Sequence, residues 1–272
     1  MPFCKMSGAG NDFIIIDHRK AVVPEALMAD FARSICRRRF SVGADGLFFI
    51  EPSIHADFKW RFFNSDGSEA EMCGNGARCV ARFAYMHGIA AARMRFETLA
   101  GIVNAAVADT QVTIGMPPPH TMRLDLAVNI GEQRYIVHSV DTGVPHIVLF
   151  DAEIDAAKVA VVGRQLRYHP LFTPAGTNVN FVTTSREGFR VRTYERGVEA
   201  ETLACGTGAV ACALVAATRG LAQSPVTVLT SGGTPLTVHF SGGGDQGPIE
   251  HVLLKGPAHL IYRGEITAEA LL

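Results

Sequence analysis

Two hydrophobic rhythms alternate along this chain. Short runs rich in Val, Ile, Phe and Thr, bounded by Gly, Pro, Asn and Asp, predict strands at 13–17, 46–51, 58–63, 94–98, 102–107, 111–115, 134–140, 146–150, 179–184, 189–194, 226–230, 235–240 and 250–262. Longer segments with apolar residues three and four apart predict helices at about 24–37, 75–87, 155–167 and 207–219. Many short strands and few helices point to a mixed α/β (α+β) fold. Met116-Pro117-Pro118-Pro119 is the clearest breaker, and it places a domain boundary near residue 117.

The pattern also repeats. Cys73-Gly74-Asn75-Gly76-Ala77 opens one predicted helix and Cys205-Gly206-Thr207-Gly208-Ala209 opens another. Each helical pattern stops at a glycine, Gly88 or Gly220, fifteen residues after its cysteine. Gly10-Asn11-Asp12-Phe13 before Ile14-Ile15-Ile16 is echoed by Gly143-Val144-Pro145-His146 before Ile147-Val148-Leu149. Phe62-Phe63-Asn64-Ser65 takes the place of Thr193-Tyr194-Glu195-Arg196. An offset near half the chain length predicts a duplication into two pseudo-symmetric domains. Residues 1–117, rejoined by about 263–272, would carry Cys73, and residues 118–262 would carry Cys205.

Composition narrows the class. A chain of 272 residues that is 48 % hydrophobic and 19 % charged suits a well-buried globular enzyme. Its formal net charge of −1 and the lack of any basic stretch beyond Arg37-Arg38-Arg39 argue against a nucleic-acid partner. No apolar run approaches the roughly 20 residues that span a bilayer, and no signal peptide is visible, which favours a cytoplasmic protein without membrane contact. The six cysteines show neither CxxC pairs nor zinc-finger spacing, so reduced thiols are expected and no metal is implied. Gly8-Ala9-Gly10 lacks the spacing of a dinucleotide fingerprint, and Ser241-Gly242-Gly243-Gly244 reads as a hairpin loop. None of the five lysines lies in the cysteine motifs, as a pyridoxal site would need, so no cofactor is expected.

The chemistry concentrates at Cys73 and Cys205. A free thiol titrates near 8.5, but a helix start offers unpaired N–H groups and a positive dipole end that favour the thiolate. Glycines after each cysteine allow close backbone approach to a ligand. Two such starts directed at one amino acid could hold its carboxylate while a thiolate takes the α-proton and a thiol returns one to the opposite face. Cys79 and Cys212 lie about two turns into their helices and read as small core residues.

Along nearly its whole length the sequence resembles the diaminopimelate epimerase family. The likeness runs through Gly8-Ala9-Gly10-Asn11-Asp12-Phe13, Gly43-Ala44-Asp45-Gly46, Phe63-Asn64-Ser65-Asp66-Gly67-Ser68-Glu69 and the Cys73 motif. It continues through Thr142-Gly143-Val144-Pro145-His146, Gly176-Thr177-Asn178-Val179-Asn180-Phe181, Glu195-Arg196-Gly197-Val198 and Glu201-Thr202-Leu203-Ala204-Cys205-Gly206-Thr207-Gly208. The resemblance implies two domains, each a β-barrel-like sheet around a central helix. It also implies a homodimeric isomerase of lysine and peptidoglycan biosynthesis that interconverts LL- and meso-diaminopimelate without pyridoxal phosphate or metal. Carried over, Cys73 and Cys205 are the acid/base pair, supported by His146 and Glu195. The backbone of Gly74, Asn75, Gly206 and Thr207 holds the reacting carboxylate, and Asn11, Asn64, Asn178, Glu195 and Arg196 read the distal amino-acid end.

Three departures bear on substrate choice. Gly46 stands where some members carry Gln, Val144 where some carry Asn, and the Arg196–Cys205 spacing is one residue longer than the commonest. Two other readings remain open at this point: a related two-cysteine racemase acting on proline, hydroxyproline or histidine, and a non-catalytic amino-acid-binding protein.

Overall fold

The computed structural model describes residues 1–151, 156–185, 188–242 and 247–272. The first residue of the predicted 155–167 helix and the glycines Gly243 and Gly244 of the predicted loop lie outside the described residues. The chain divides into two compact units, 1–114 with 256–272, and 115–255.

In the first unit the strands are β1 (Pro2–Gly8), β2 (Asn11–Asp17), β3 (Gly46–Glu51), β4 (Phe58–Asn64), β5 (Arg93–Thr98), β6 (Gly101–Ala108), β7 (Gln111–Gly115) and, from the far end of the chain, β17 (His259–Glu265). In the order β17-β1-β2-β3-β4-β5-β6-β7, neighbours pair antiparallel except β2–β3 and β4–β5, which are parallel. A parallel pair requires a crossover, and here each crossover is a helix: α1 (Met28–Ile35) between β2 and β3, and α2 (Gly74–Met86) between β4 and β5.

The second unit repeats this plan. Its strands are β8 (His120–Ile130), β9 (Gln133–Asp141), β10 (Pro145–Phe150), β11 (Asn178–Ser185), β12 (Gly188–Glu195), the short β13 (Ala200–Thr202), β14 (Val226–Leu229), β15 (Pro235–Ser241) and β16 (Glu250–Pro257). In the order β8-β9-β10-β11-β12-β14-β15-β16, the parallel pairs are again the third and the fifth, β10–β11 and β12–β14. They are bridged by α3 (Ala156–Arg167) and α4 (Gly206–Thr218). Two units with one sequence of pair types and one placement of helices constitute a duplicated fold.

Each unit has an inner and an outer helix. Helix α4 touches β9, β10, β11, β12, β14 and β15, so the sheet must curve around it. Its residues from Gly208 to Ala216 are all buried, as expected of a helix that is apolar on every side. Helix α2 lies against β1, β2 and β6. The outer helices bury one stripe only: Met28, Ala32 and Ile35 of α1 pack with Leu47, Phe49 and Phe63, and Val159, Val162 and Leu166 of α3 pack with Val179, Phe181 and Tyr194. Both inner helices stop as their glycines predict. Gly88 and Gly220 adopt positive φ (63° and 72°), and Ile89 and Leu221 N–H reach back to Ala84 and Ala216 carbonyls at 2.9 and 2.8 Å.

Several predicted elements differ. The 24–37 helix shortens to a single 3-10 turn at Glu25–Leu27 followed by α1. The 250–262 strand is two strands, β16 and β17, on either side of Ala258. Strands β1 and β8 escape the pattern for opposite reasons. In β1 the charge of Lys5 interrupts the apolar run, yet Lys5 is buried and ion-paired with Asp12 at 2.7 Å. In β8 the residues are mostly exposed or half-buried, and Thr121 and Asp125 take positive φ.

Candidate active site

Both cysteines cap an inner helix. Cys73 (φ −146°, ψ 114°) and Cys205 (φ −125°, ψ 112°) are extended residues at the N-caps of α2 and α4. The first helical i→i−4 bonds come from Ala77 to Cys73 O at 2.7 Å and from Ala209 to Cys205 O at 2.9 Å. The amides of residues 74–76 and 206–208 therefore lie ahead of each hydrogen-bond ladder, where they can meet an anion. One of them, Gly76 N–H, points at Cys73 Sγ at 3.4 Å.

In the first unit a polar network runs from Cys73's helix to β2. Asn75 Nδ2 donates to Asn11 Oδ1 at 2.7 Å, and Asn11 Nδ2 donates to Asp45 Oδ2 at 2.9 Å. Arg38 Nη2 donates to Asp45 Oδ1 at 2.8 Å. Burial raises the Asp12 carboxyl, but Arg38 and Lys5 outweigh it and hold that group below the ordinary carboxylate range. Beneath Asn75 lies Arg78, fully buried. Its guanidinium donates to Asn75 Oδ1 (2.7 Å), Gly74 O (3.3 Å) and Pro257 O (3.4 Å), all neutral oxygens. Burial pulls the Arg78 pKa down, and the thiols of Cys79 and Cys73, when ionised, act against that pull. Asn64 stands apart from this network, its amide donating to Ser68 Oγ at 3.0 Å. Opposite it, Gly46 has no room for a side chain: a Cβ there would lie 2.6 Å from a Phe62 ring carbon and 2.8 Å from Phe63 O.

In the second unit, Cys205 Sγ lies 3.5 Å from Thr207 Oγ1, which lies 2.9 Å from His146 Nε2. His146 Nδ1 in turn faces Asn180 Nδ2 at 3.1 Å. Thr142 Oγ1 donates to Thr207 O at 3.1 Å and fixes the same turn from another side. Burial, with a smaller push from Arg196, drives His146 down to about 3, so it is neutral across the working range. Asn178 Oδ1 accepts from Arg196 N–H at 2.8 Å, while its amide donates to Pro145 O at 3.1 Å. Arg196 Nη1 donates to Ala175 O at 3.1 Å. Half-buried Glu195 is raised by burial, which the 2.6 Å bond from Thr202 Oγ1 only partly offsets.

The two groups are thus Asn11, Gly74, Asn75 and Cys73 in one unit, and His146, Cys205, Gly206 and Thr207 in the other, with Asn178 beside Arg196 on the neighbouring strand ends. Arg78, Asn180, Thr142 and Thr202 join them without standing out in the sequence. Only the odd placement of a charge inside the apolar α2 pattern could have singled out Arg78. Cys79 and Cys212 are fully buried, and burial pushes their thiols up, Cys79 to about 12, as befits core residues. Among the described residues no three His, Cys, Asp or Glu side chains gather as a metal-ligand set, and no helix is long and apolar enough to cross a membrane.

This duplicated architecture is that of the PhzF and proline racemase proteins. A PhzF-family phenazine biosynthesis protein of Bacillus anthracis superposes with a TM-score of 0.74 at 15 % identity, covering 98 % of this chain and 99 % of that one. A probable proline racemase of Agrobacterium radiobacter K84, crystallised with carbonate, gives 0.72 at 17 %, covering 98 % and 93 %. Within that fold class the sequence is more specific. The family model for diaminopimelate epimerase matches twice, at residues 3–122 and 138–258. The diaminopimelate epimerase of Aquifex aeolicus is 44 % identical over 283 residues, covering all of this chain and 99 % of that protein. The chain belongs to the diaminopimelate epimerase family.

Proposed function

We propose that this protein is an isomerase that inverts one α-carbon of diaminopimelate, converting the LL to the meso form for lysine and peptidoglycan precursor synthesis. The observation that carries this reading is the repeated placement of a thiol at the N-cap of an inner helix, at Cys73 and Cys205, in a chain of this family. One cysteine as thiolate removes the α-proton, and the other as thiol delivers a proton to the opposite face. The reverse direction exchanges their protonation states. Charge that develops at the α-carbon spreads into its carboxylate, where the backbone amides of Gly74, Asn75, Gly206 and Thr207 are the donors that stabilise it. Each such donor is worth about 3–4 kcal/mol of barrier in comparable oxyanion sites.

Asn11, Asn64, Asn178, Glu195 and Arg196 take the distal amino-acid end. Arg196 can grip a carboxylate with two parallel bonds, and Glu195 can accept from an ammonium. His146 and Glu195 support the thiols. The family resemblance also favours a cytoplasmic homodimer.

The test is proton exchange in deuterium oxide. LL-Diaminopimelate should gain deuterium at Cα as meso product forms, at a rate far above that for proline. Cys73→Ala and Cys205→Ala should each abolish inversion. Wild-type protein that leaves diaminopimelate unchanged, or either alanine variant turning over at the wild-type rate, would refute the proposal.

A further inference from the structure

The duplication supplies an internal control for the residues under each inner helix. Phe13 of β2 pairs with Gly46 of β3 where His146 of β10 pairs with Asn178 of β11. Two residues further along, Phe48 corresponds to Asn180. Across the next pair, Phe62 faces Phe48 where Thr193 faces Asn180. Three buried aromatic rings in one unit are thus replaced by three buried polar side chains in the other. The rings stack, Phe48 on Phe62 at 4.3 Å and Phe13 edge-on to Phe48 at 5.2 Å. The polar trio is hydrogen-bonded instead.

Packing alone does not call for polarity here, because the aromatic set fills the same place by burial. A satisfied polar trio adds only modest net stability, since its bonds mostly replace bonds to water. What it adds is direction. The carbonyl of Ile147 can only accept, so the group facing it at 2.9 Å is the Asn180 NH2. Asn180 Oδ1 then receives Thr193 Oγ1–H at 2.9 Å. The second amide hydrogen points at His146 Nδ1, which must present its lone pair. Neutral His146 therefore carries its proton on Nε2 and donates it to Thr207 Oγ1, leaving the threonine proton to turn toward Cys205 Sγ.

We propose that Asn180, braced by Thr193 and the Ile147 carbonyl, is a positioning residue that locks His146 as the Nε2–H tautomer, so that the chain His146–Thr207–Cys205 donates toward sulfur and favours the Cys205 thiolate. This rests on the reading of Cys205 as an acid/base group. His146 is then not itself a proton acceptor: Nδ1 is occupied by the amide and Nε2 already bears hydrogen. The charge of Arg196 opposes protonation of His146, and Cys212, within α4 beyond Cys205, interacts electrostatically with Cys205. Glu195 is engaged by Thr202.

The experiment has a spectroscopic arm and a chemical arm, both on the full-length protein without substrate. Long-range 15N–1H NMR of histidine-labelled protein, with the His146 signals assigned by their loss in His146→Asn, should place the hydrogen of His146 on Nε2. Competitive alkylation with iodoacetamide at neutral pH, read by mass spectrometry, gives the ratio of modification at Cys205 to that at Cys73. Asn180→Asp offers Nδ1 an acceptor and reverses the chain. It should move the hydrogen of His146 to Nδ1 and lower the Cys205:Cys73 ratio about tenfold, the worth of one hydrogen bond to a charged group. Thr193→Val, nearly isosteric, should lower the ratio in the same direction by less. A wild-type His146 protonated on Nδ1, or an unchanged ratio in both variants, overturns the proposal. Neither readout requires turnover, so a failure of the epimerase reading is detected separately by the deuterium assay.

Discussion

Gly208 leaves open the space that the amide of Asn180 occupies: a Cβ at Gly208 would lie 2.4 Å from Asn180 Oδ1, and 3.3 Å from Cys205 Sγ. The fourth residue of the cysteine motif is thus glycine because a strand side chain reaches up beneath the first helical turn. In the other half, a Cβ at Gly76 would meet the Phe48 ring at 2.3 Å.

The two glycines separate packing from chemistry. Gly76→Ala and Gly208→Ala should each destabilise by about 1–3 kcal/mol, the usual cost of overpacking. Gly208→Ala should in addition displace Asn180 and lower the Cys205:Cys73 alkylation ratio, whereas Gly76→Ala should not. Thermal melts paired with the alkylation assay decide this, and equal ratios in both variants would show that Gly208 serves packing alone.

The starts and stops of α2 and α4 are legible in the sequence because each is fixed locally, by Cys-Gly-x-Gly-Ala at one end and a positive-φ glycine at the other. The duplication is legible for the same reason. The polar trio is not. Asn180 sits two residues from Asn178 in one motif, but its meaning comes from His146, 34 residues earlier, and from Thr193 across a strand pair. The repeat sets Phe13 against His146 and Phe62 against Thr193, but that Phe48 answers Asn180, and that each trio meets under its helix, emerges only from strand register, which alternation of polar and apolar residues does not fix across a crossover. Arg78 is hidden in the same way. A charge in a helical pattern reads as a solvated face until the structure shows it buried against Gly74, Asn75 and Pro257.

A buried guanidinium whose bonds all end on neutral oxygens raises the local potential at the start of α2. Removing it should make the Cys73 thiolate harder to form. In Arg78→Met, alkylation of Cys73 at neutral pH should slow by about tenfold or more, the effect of losing one nearby opposite charge. Stability should change by no more than about 2 kcal/mol, because the lost hydrogen bonds are offset by relief of a desolvated charge. Arg78→Lys, which keeps the charge, should recover part of the rate. Cys73 reactivity that is identical in Arg78→Met and wild type would remove Arg78 from the electrostatics of this group.

His146 should also govern acid sensitivity. Its folded pKa is depressed to about 3 from an unfolded value of 6.5, so below 6.5 the unfolded chain takes up a proton that the folded chain refuses. The contribution to stability is complete above 6.5 and is lost progressively as pH falls toward 3. Each pH unit in that window costs at most about 1.4 kcal/mol. Urea unfolding of His146→Asn should show a shallower loss of stability between pH 6.5 and 4.5 than wild type, whatever its stability at pH 7.5. Parallel curves would mean that His146 takes up its proton in the folded protein as it does in the unfolded chain.

Glu195 predicts the opposite dependence. Burial raises its folded pKa above the unfolded 4.5, and the bond from Thr202 only moderates that shift. The folded state therefore holds the proton more tightly, and this contribution is full below 4.5 and lost as pH rises through the raised value. Glu195→Gln keeps the shape and an acceptor for Thr202 without the charge. Relative to wild type, it should be stabilised more at pH 8 than at pH 4, while epimerisation of diaminopimelate should fall sharply, as the ammonium-binding role proposed for Glu195 requires. Thr202→Val should push the carboxyl further up and carry the same stability profile to higher pH. Measuring Tm for the three proteins at both pH values isolates the contribution of this carboxyl, since any effect of Gln on packing is common to the two conditions. A Glu195→Gln variant whose Tm difference from wild type is the same at pH 4 and pH 8 would show that Glu195 ionises normally in the folded chain.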